Sequence, residues 1–574
     1  MTEQRYTDGE SDYTRTLRRK AALWRERSSM DTHVQDIATF LLPRAARFYA
    51  DDRNRTNAAD YNSIIDETGT LAHGTLASGL MAGMTSPARP WFRLATPDTE
   101  LMEFAPVKTW LYRVNRKMLM IFAKSNTYRA FHSIYSQIGL AGVAANIIVD
   151  DYENVLHHYP LVFGQYALGL NDKGQVDTIY REATKTVAQV VESFGRDACS
   201  QTVRNMWDRG NYDQAVKIIH AIEPRYARDA RYSDGKNMPW KSCYFELGRD
   251  NEKQYLRESG FLEFPAVCPR WDVDGDDTYA SRWPGATALG SIKQLQQEQL
   301  QKSTAIDYQV DPPLQIPVEY KNKDIDRLPG GSMYVDINSP HGGIRTAYEV
   351  RLDLNHLLAD IVDVRGRVNA SFFVDLFRML QNDTRSNITA REIAERHEEK
   401  LLMLGPVLER LHTEMLQPFI ELTFAKMARA GLFAEGQELT PPPELQGVNL
   451  DVDFISVLAQ AQRAVGVSAV DRIIGTVGSL VQLDPRAIDK IDIDQTIDVY
   501  ADMLGADPSI VRADDVVEQI RAARQAQEQA AALAAAAKPA SDMANAAQTM
   551  SETDPNALGA AMSQFSGYAV PGLN

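Results

Sequence analysis

The residues whose types and spacing could do chemistry are concentrated in the segment WDVDGDD, which carries Asp272, Asp274, Asp276 and Asp277. Carboxylates at alternate positions around a glycine resemble the start of a calcium-binding loop, and a metal held there could support hydrolysis. A helix–loop–helix calcium site needs a bidentate glutamate at the twelfth position of the loop, and Trp283 occupies that position. The pattern therefore favours a solvated turn over a calcium site.

Other patterns also fail to give a catalytic set. His157 and His158 could offer metal nitrogens, but neighbouring residues of a strand point to opposite faces, which favours a structural role. No phosphate-binding glycine loop ending in Gly-Lys-Ser/Thr, no His-Glu-x-x-His and no Gly-x-Ser-x-Gly occurs. We therefore predict no catalytic residue, no metal and no cofactor.

The composition limits the partners and the compartment. The 574 residues include 61 Lys and Arg against 77 Asp and Glu, a net charge of -16, which disfavours a protein that grips phosphate backbone over a wide surface. The three cysteines, Cys199, Cys243 and Cys268, indicate neither a disulfide scaffold nor a thiolate zinc site, and favour synthesis in a reducing cytoplasm. The sequence predicts a soluble, non-secreted protein without a membrane-spanning helix.

The first element of the chain with an unusual pattern is the segment LASGLMAGMTSPARPWFRL, residues 76–94. Gly79 and Gly83 stand four residues apart, a spacing that lets a neighbouring backbone approach a helix closely. The apolar part is too short to span a membrane, and Pro87 ends it. We expect Pro90 and Trp91 to anchor the turn that follows, while Arg89 and Arg93 find partners on another element or subunit.

Hydrophobic periodicity predicts a chain that is mainly α with smaller β elements, an α+β fold. We expect helices over 13–48 and most of 66–145, a hairpin that turns at 171–174, helical structure over 184–222, strands over 244–269, and helix over 350–380. Thr389 and Glu392 form a capping box for a helix that begins at Ala390 and ends at Gly431, about 40 residues and about 60 Å long. Pro406 and Pro418 should kink it.

The helix predicted over 284–306 has few large apolar residues and five glutamines. A helix that is polar almost all round cannot be held by the core of a single protomer, so we expect it to pack between copies and to face water. A β-rich insertion punctuated by prolines follows it. After the spacer comes a further helical region over 454–523, and the alanine-rich remainder is helical at its start and disordered after Pro539.

Taken in order, four segments resemble the portal, or head-to-tail connector, family of double-stranded DNA bacteriophages, specifically the short-tailed type. They are residues 76–94, the stretch TYASRWPGATALGSIKQLQQEQLQKSTAIDYQVDPPL, the stretch ITAREIAERHEEKLLMLGPVLERLHTEMLQPFI, and ISVLAQAQRAVGVSAVDRIIGTVGSLVQLDP. The resemblance covers residues 13 to 525.

The resemblance implies a dodecameric ring around a central channel at one capsid vertex, through which DNA is packaged and ejected. Its regions would be a wing over 1–283, stem helices over 284–306 and 349–380, a clip over 307–348, a tunnel loop over 381–389, a long kinked wing helix over 390–431, a spacer over 432–453, a crown over 454–525 and an Ala-rich tail over 526–574. Gly79, Gly83, Pro90 and Trp91 would form a structural wing motif.

The resemblance also implies partners and site residues. The partners would be other copies of the chain, the terminase large subunit, head-tail adaptor and tail proteins, major capsid and scaffolding proteins, and non-specific duplex DNA passing through the channel, with no membrane contact. The candidates for facing DNA are Asn382, Asp383, Thr384, Arg385 and Asn387. The candidates for the clip interface are Lys321, Lys323 and Arg327.

Two other classes of function remain open on the sequence. One is a metal-dependent phage hydrolase or nuclease with a site built from dispersed carboxylates such as Asp272 and Asp274. It is weakened because no metal-ligand spacing is present. The other is a monomeric helical adaptor that binds one partner, which would leave the glutamine-rich helix unsupported.

Overall fold

The computed structural model describes most of the chain up to residue 316 and shorter parts beyond it. It divides into two compact units, one of residues 1–97 with 109–476 and the other of residues 98–108 with 477–574. The described residues are 12–45, 47, 62–98, 101–102, 104–232, 234–247, 254–316, 318, 321, 345–346, 355–381, 404–437, 439–445, 450–455, 477, 496, 517 and 519–531.

The first part of the chain is mainly helical, as predicted. A short strand that the sequence did not suggest follows the Pro90–Trp91 pair. The helix Thr127–Ala141 is followed by Gly142, whose φ of 72° is the left-handed conformation that commonly closes a helix. The elements are α1 Asp12–Leu41, α2 Thr68–Met84, β1 Phe92–Ala95, α3 Ala105–Lys124 and α4 Thr127–Ala141.

A strand-rich region follows, and the hairpin predicted to turn at 171–174 is confirmed between the strands Tyr166–Leu170 and Val176–Thr186. The elements are β2 Ala145–Asp151, β3 Val155–Leu161, β4 Tyr166–Leu170, β5 Val176–Thr186, α5 Val187–Phe194, α6 Gln201–Asp208, β6 Ala215–Pro224, β7 Trp240–Glu246, β8 Arg257–Phe261 and β9 Ala266–Val267. The strands form a five-stranded sheet of order β4-β5-β6-β7-β8 and a three-stranded sheet of order β3-β2-β9, with antiparallel pairing throughout.

The expectation of helical structure over 184–222 is wrong for its last part, where β6 is a strand. Its sequence AVKIIHAI has apolar residues on both faces of the strand, because other elements pack against both faces. Ile219 packs with Tyr13 and Leu23 of α1 on one side, and Ile218 packs with Val187 and other residues of α5 and α6 on the opposite side. A strand buried on both faces loses the alternation that would distinguish it from a helix.

The remaining described elements carry the predicted stem and the long helix. α7 Pro284–Val310 extends four residues beyond the predicted end at Ile306. It is followed by β10 Leu314–Gln315, β11 Arg345–Thr346, α8 Asn355–Ser371, α9 Val374–Gln381, a π-helical turn at His412–Leu416, α10 Gln417–Arg429 and β12 Asp451–Phe454. β10 pairs with β11, and β12 pairs with β1.

α7 and α8 pack against each other through Leu295, Ile361 and Val364. The expectation that the core of one protomer cannot hold the glutamine-rich helix is wrong for residues 284–299. Ala288, Ile292 and Leu295 are buried there, and the buried Gln296 and Gln299 find hydrogen-bond partners within the protomer. Amide side chains can enter a core when their polar atoms are satisfied.

The long helix is described from residue 404 and is helical to Arg429. Gly431, whose φ is 77°, lies just after this end. The predicted end is therefore confirmed, while the predicted start at Ala390 and the capping box of Thr389 and Glu392 lie outside the described residues. The π-helical turn ends two residues before Pro418, which lacks the N–H needed to continue regular helical bonding. The interruption thus coincides with one of the two prolines expected to kink the helix.

The described part of the second unit is small. Residues 519–531 form a continuous helix, which agrees with the expectation that the alanine-rich segment begins as helix. Most of the region predicted as a crown lies outside the described residues. Across the part of the chain that the structure describes, no helix has the length and apolar character needed to cross a membrane.

Candidate functional site

The glycine face of α2 receives an aromatic side chain from α9. A Cβ atom built on Gly79 would lie 2.2 Å from Cγ of Phe377, far inside contact distance, so only glycine fits there. Gly83 is buried on the same helix, and Phe377 is almost fully buried. The sequence predicted the close approach of a neighbouring backbone, and at Gly79 the group that approaches is instead the side chain of Phe377.

Trp91 anchors the turn after α2 in a cluster of aromatic side chains. Its ring lies 4.6 Å from that of Phe92, 6.1 Å from that of Phe122 and 6.3 Å from that of Phe131. Phe419 of α10 extends the cluster, with its ring 4.7 Å from Phe122. Trp91 is 1% exposed, whereas the neighbouring Pro90 is exposed, so the tryptophan is the anchoring member of this pair.

β1 fixes the rest of this motif against β12. Phe92 pairs in register with Phe454 and Ala95 with Asp451. The guanidinium of Arg93 donates to Asp453 Oδ2 from Nη2 at 2.9 Å and from Nε at 3.1 Å. The partner expected for Arg93 is therefore found on another element of the same protomer, 360 residues away in the sequence.

Asp66, just before α2, joins the start of this helix to α7 and α8. Its carboxylate accepts hydrogen bonds from Arg365 Nη2 at 2.7 Å, from Gln299 Nε2 at 3.0 Å and from the backbone N–H of Thr68 at 2.9 Å. The side-chain oxygen of Gln296 accepts from the backbone N–H of Asp66 at 2.7 Å. Burial acts to raise the pKa of Asp66, but the hydrogen bonds from Thr68 and Arg365 lower it below its usual value.

Helical structure is interrupted between α8 and α9, at a residue with an unusual backbone conformation. Phe373 has a φ of 55°, which L-residues with a bulky side chain rarely adopt. Its ring lies 6.2 Å from that of Trp271, and the ring of Phe372 lies 6.0 Å from His73 of α2. The break is thus held between aromatic contacts, and it directs α9 so that Phe377 reaches Gly79.

The acidic segment at residues 272–277 forms a turn in which two of the carboxylates are already paired. Arg282 donates to Asp272 Oδ2 and to Asp274 Oδ1, each at 3.2 Å, and Gly275 supplies a left-handed φ of 59°. Among the described residues, no group of three or more His, Cys, Asp or Glu side chains is arranged to hold a metal ion. The turn interpretation therefore accounts for the segment.

The two histidines of β3 point to opposite faces, as predicted. His158 is buried, and its Nδ1 lies 2.7 Å from Asn146 Nδ2 while its Nε2 lies 2.9 Å from Thr127 Oγ1. Burial, followed by the charges of His157 and Lys426, lowers the pKa of His158 to about 3. A neutral histidine with both nitrogens engaged has a structural role.

The described structure does not bring together the residues predicted to face DNA or the clip partners. Asn382, Asp383, Thr384, Arg385 and Asn387 lie outside the described residues, as do Lys323 and Arg327. Lys321 is described as an exposed turn residue. These assignments stay predictions.

Sequence reasoning missed several residues of the helix junction, namely Asp66, Gln296, Gln299, Arg365, Phe373 and Phe377. Gln296 and Gln299 are three residues apart and therefore share a helix face, which was a usable signal. Their common partner was not foreseeable, because Asp66 is more than two hundred residues away.

The comparisons with known proteins agree over almost the whole chain. The model of the family described as bacteriophage head to tail connecting protein matches residues 14–511. The chain is 53% identical over 553 residues to a probable portal protein of Bordetella phage BPP-1, covering 96% of this chain and 98% of the relative. It is 43% identical over 552 residues to a portal protein of Salmonella phage epsilon15, again covering 96% and 98%.

A solved chain from the neck of an empty gene transfer agent particle is also similar. It is 12% identical, with a TM-score of 0.32, and the match covers 82% of this chain and 94% of that chain; a similarity at this level supports no further conclusion. The family match covers residues 14–511, and the alignments with the two phage proteins each cover 96% of the chain. This chain therefore belongs to the family of bacteriophage head to tail connecting proteins and has the structural role of a portal protein.

Proposed function

We propose that copies of this chain form a dodecameric ring around a channel at one capsid vertex, through which the duplex genome enters during packaging and leaves during ejection. The full-length similarity to two phage portal proteins carries the portal role. The wing corresponds to residues 1–283 with the long helix of 390–431, the clip to 307–348, the tunnel loop to 381–389 and the crown to 454–525.

α7 and α8 correspond to the stem, and their surfaces support assembly with other copies. The inner faces pack within the protomer through Leu295, Ile361 and Val364. Both helices also expose several large apolar side chains, and groups of exposed apolar side chains mark surfaces that a partner covers. The exposed side chains are Leu300, Ile306, Tyr308 and Val310 on α7, and Leu358 and Val362 on α8.

The remaining partners follow from this placement. The clip meets the terminase large subunit during packaging and the head-tail adaptor and tail proteins afterwards, with Lys321, Lys323 and Arg327 as contact candidates. The tunnel loop, with Asn382, Asp383, Thr384, Arg385 and Asn387, touches passing DNA without reading its sequence. Capsid and scaffolding proteins contact the outside of the ring, and assembly takes place in the host cytoplasm.

Native mass spectrometry of the purified chain tests the ring and its stem interface together. We expect the unaltered chain to give a closed ring of about a dozen subunits, because heterologous contacts that close generate cyclic assemblies. Val362→Asp, which places a charge on the exposed face of α8, should leave a folded monomer with a normal thermal transition and abolish the ring.

Leu71→Asp is the matched control, because Leu71 is as exposed as Val362 but lies on α2. Full ring formation by Val362→Asp would contradict the stem interface. A stable monomer of the unaltered chain at every concentration and in the presence of scaffolding protein would contradict the ring itself.

A further inference from the structure

One face of the five-stranded sheet carries three cations that lack an acidic partner. Arg181 and Lys185 of β5 and Arg257 of β8 form no ion pair with any side chain among the described residues, and Lys185 Nζ donates only to Ser193 Oγ, at 3.4 Å. The nearby carboxylates of Glu182 and Glu258 alternate to the other face, where they pair with Lys20, Lys217 and Arg225. In a chain with 16 surplus negative charges, such a cluster is unexpected.

Two of the cations, Arg181 and Arg257, lie at the ends of one row of side chains that crosses four strands, and Lys185 lies four residues from Arg181 on β5. Arg181 is in register with His220 of β6, His220 with Tyr244 of β7, and Tyr244 with Arg257. The rings of His220 and Tyr244 are stacked at 3.9 Å, and the guanidinium of Arg257 lies 5.0 Å from the Tyr244 ring. Lys185 and Arg257 both lie 5.4 Å from the ring of Phe194, so they converge on one side chain.

Two neighbouring nitrogens in this row are buried without a hydrogen-bond partner in the described structure. They are Nε of Arg181 and Nδ1 of His220, which belong to register partners on adjacent strands. His220 is 3% exposed, and its Nε2 is already engaged with Ser242 Oγ at 2.9 Å. Buried polar atoms almost always have a partner, so each of these two nitrogens is a position at which an acceptor can bind.

The pKa shifts of Lys185 and His220 also indicate an excess of positive charge at this face of the sheet. Burial, followed by the charges of Arg181 and Arg257, lowers the pKa of both Lys185 and His220. His220 is therefore neutral, and its free nitrogen can carry the proton while the Ser242 hydroxyl donates to Nε2. Glu246 of β7 is a buried acid on the same face of the sheet, and its carboxylate accepts a hydrogen bond from the backbone N–H of Ser200 at 2.9 Å.

We propose that Arg181, Lys185, His220 and Arg257 form a binding site for a phosphate-type oxyanion. A doubly charged anion with several acceptor oxygens suits three cations and a neutral donor better than a single carboxylate does. Arginine is also the side chain best matched to such oxygens. The phosphate can be free in solution or belong to a nucleotide.

Isothermal titration of the full chain with inorganic phosphate tests the site, at constant ionic strength held by sodium chloride. We expect saturable binding that Arg181→Gln weakens at least about tenfold, because a charge-assisted hydrogen bond is lost. Arg257→Gln, at an exposed position, should weaken binding without affecting folding. Lys217→Gln is the matched control, since Lys217 pairs with Glu182 on the opposite face of the same sheet.

The ligand series separates the sources and can overturn the proposal. Thymidine 5′-monophosphate binding as tightly as phosphate identifies the free anion as sufficient, and tighter binding identifies a nucleotide; both support the site. Acetate binding as tightly as phosphate overturns the assignment to phosphate. No saturation by phosphate up to about 10 mM, or equal binding by Arg257→Gln and the unaltered chain, overturns the site itself.

Discussion

At the scale of single residues, Gly79 shows how one missing side chain fixes the position of a helix. Gly79→Ala should destabilise the protein, because the new Cβ would overlap the Phe377 ring and one of the two helices would have to move. Phe377→Ala should cost about 3–5 kcal/mol by leaving a cavity. In the double variant the new methyl occupies part of that cavity, so the loss should be smaller than the sum of the single losses.

Urea unfolding of the four proteins in this cycle provides the measurement. Gly74→Ala on the same helix is the control, because a Cβ there meets nothing within 4 Å. It should be neutral or stabilise by up to about 1 kcal/mol through helix propensity. Strict additivity in the Gly79 and Phe377 cycle would show that the two residues do not compete for the same space.

Trp91 is the second residue whose role can be tested alone. Trp91→Ala should reduce stability by about 3–5 kcal/mol, because the side chain is buried among Phe92, Phe122 and Phe131. The loss should lower the thermal transition and the yield of assembled rings together. Tyr152→Ala, which removes a fully exposed aromatic ring, should change neither. A normal transition for Trp91→Ala would show that the turn is held by β1 and β12 instead.

At the scale of elements, the sequence predicted α1 well because its buried residues form one stripe, and it predicted the β4–β5 hairpin well because residues 171–174 have the composition of a turn. It failed at β6, because a strand covered on both faces carries no alternation. The break at Phe373 could not be predicted either, since a left-handed phenylalanine is set by contacts with Trp271 and not by local propensity. The junction at Asp66 depends on partners distant in sequence, which periodicity does not report.

That junction gives a prediction about how α7 and α8 are joined to α2. Asp66→Asn should lower stability by about 2 kcal/mol near neutral pH, because the charged hydrogen bond from Arg365 is lost at a buried carboxylate. The folded pKa of Asp66 is lowered, so its contribution is complete above the unfolded pKa of about 4. It is lost as the pH falls from there through the lower folded pKa.

Chemical denaturation between pH 3 and neutrality should therefore show the two proteins converging at the acid end. Asp363→Asn is the control, because Asp363 and Arg367 form an exposed pair one turn apart on α8, and such pairs contribute little. A difference between Asp66→Asn and the unaltered chain that is constant with pH would mean that the charge of Asp66 is unimportant and that only its geometry matters.

At the scale of the whole molecule, the net charge of -16 bears on how a portal handles the DNA that passes it. A conduit that neutralised many phosphates would hold the duplex, because each released counterion adds to affinity. The acidic chain should therefore bind duplex DNA no more tightly than the weakest non-specific binders, with a Kd above about 10⁻⁴ M at physiological salt. Filter binding or fluorescence anisotropy with a labelled duplex measures this directly.

Salt dependence makes the same prediction sharper. Because log Kd changes with log salt in proportion to the number of phosphates contacted, a wide cationic surface gives a steep slope and a few local contacts give a shallow one. We expect the shallow slope for assembled rings, and the same result for duplexes of different sequence, since no base is read. Micromolar affinity with a steep slope would contradict weak contact and would indicate that acidic and basic residues are segregated between the outer surface and the channel.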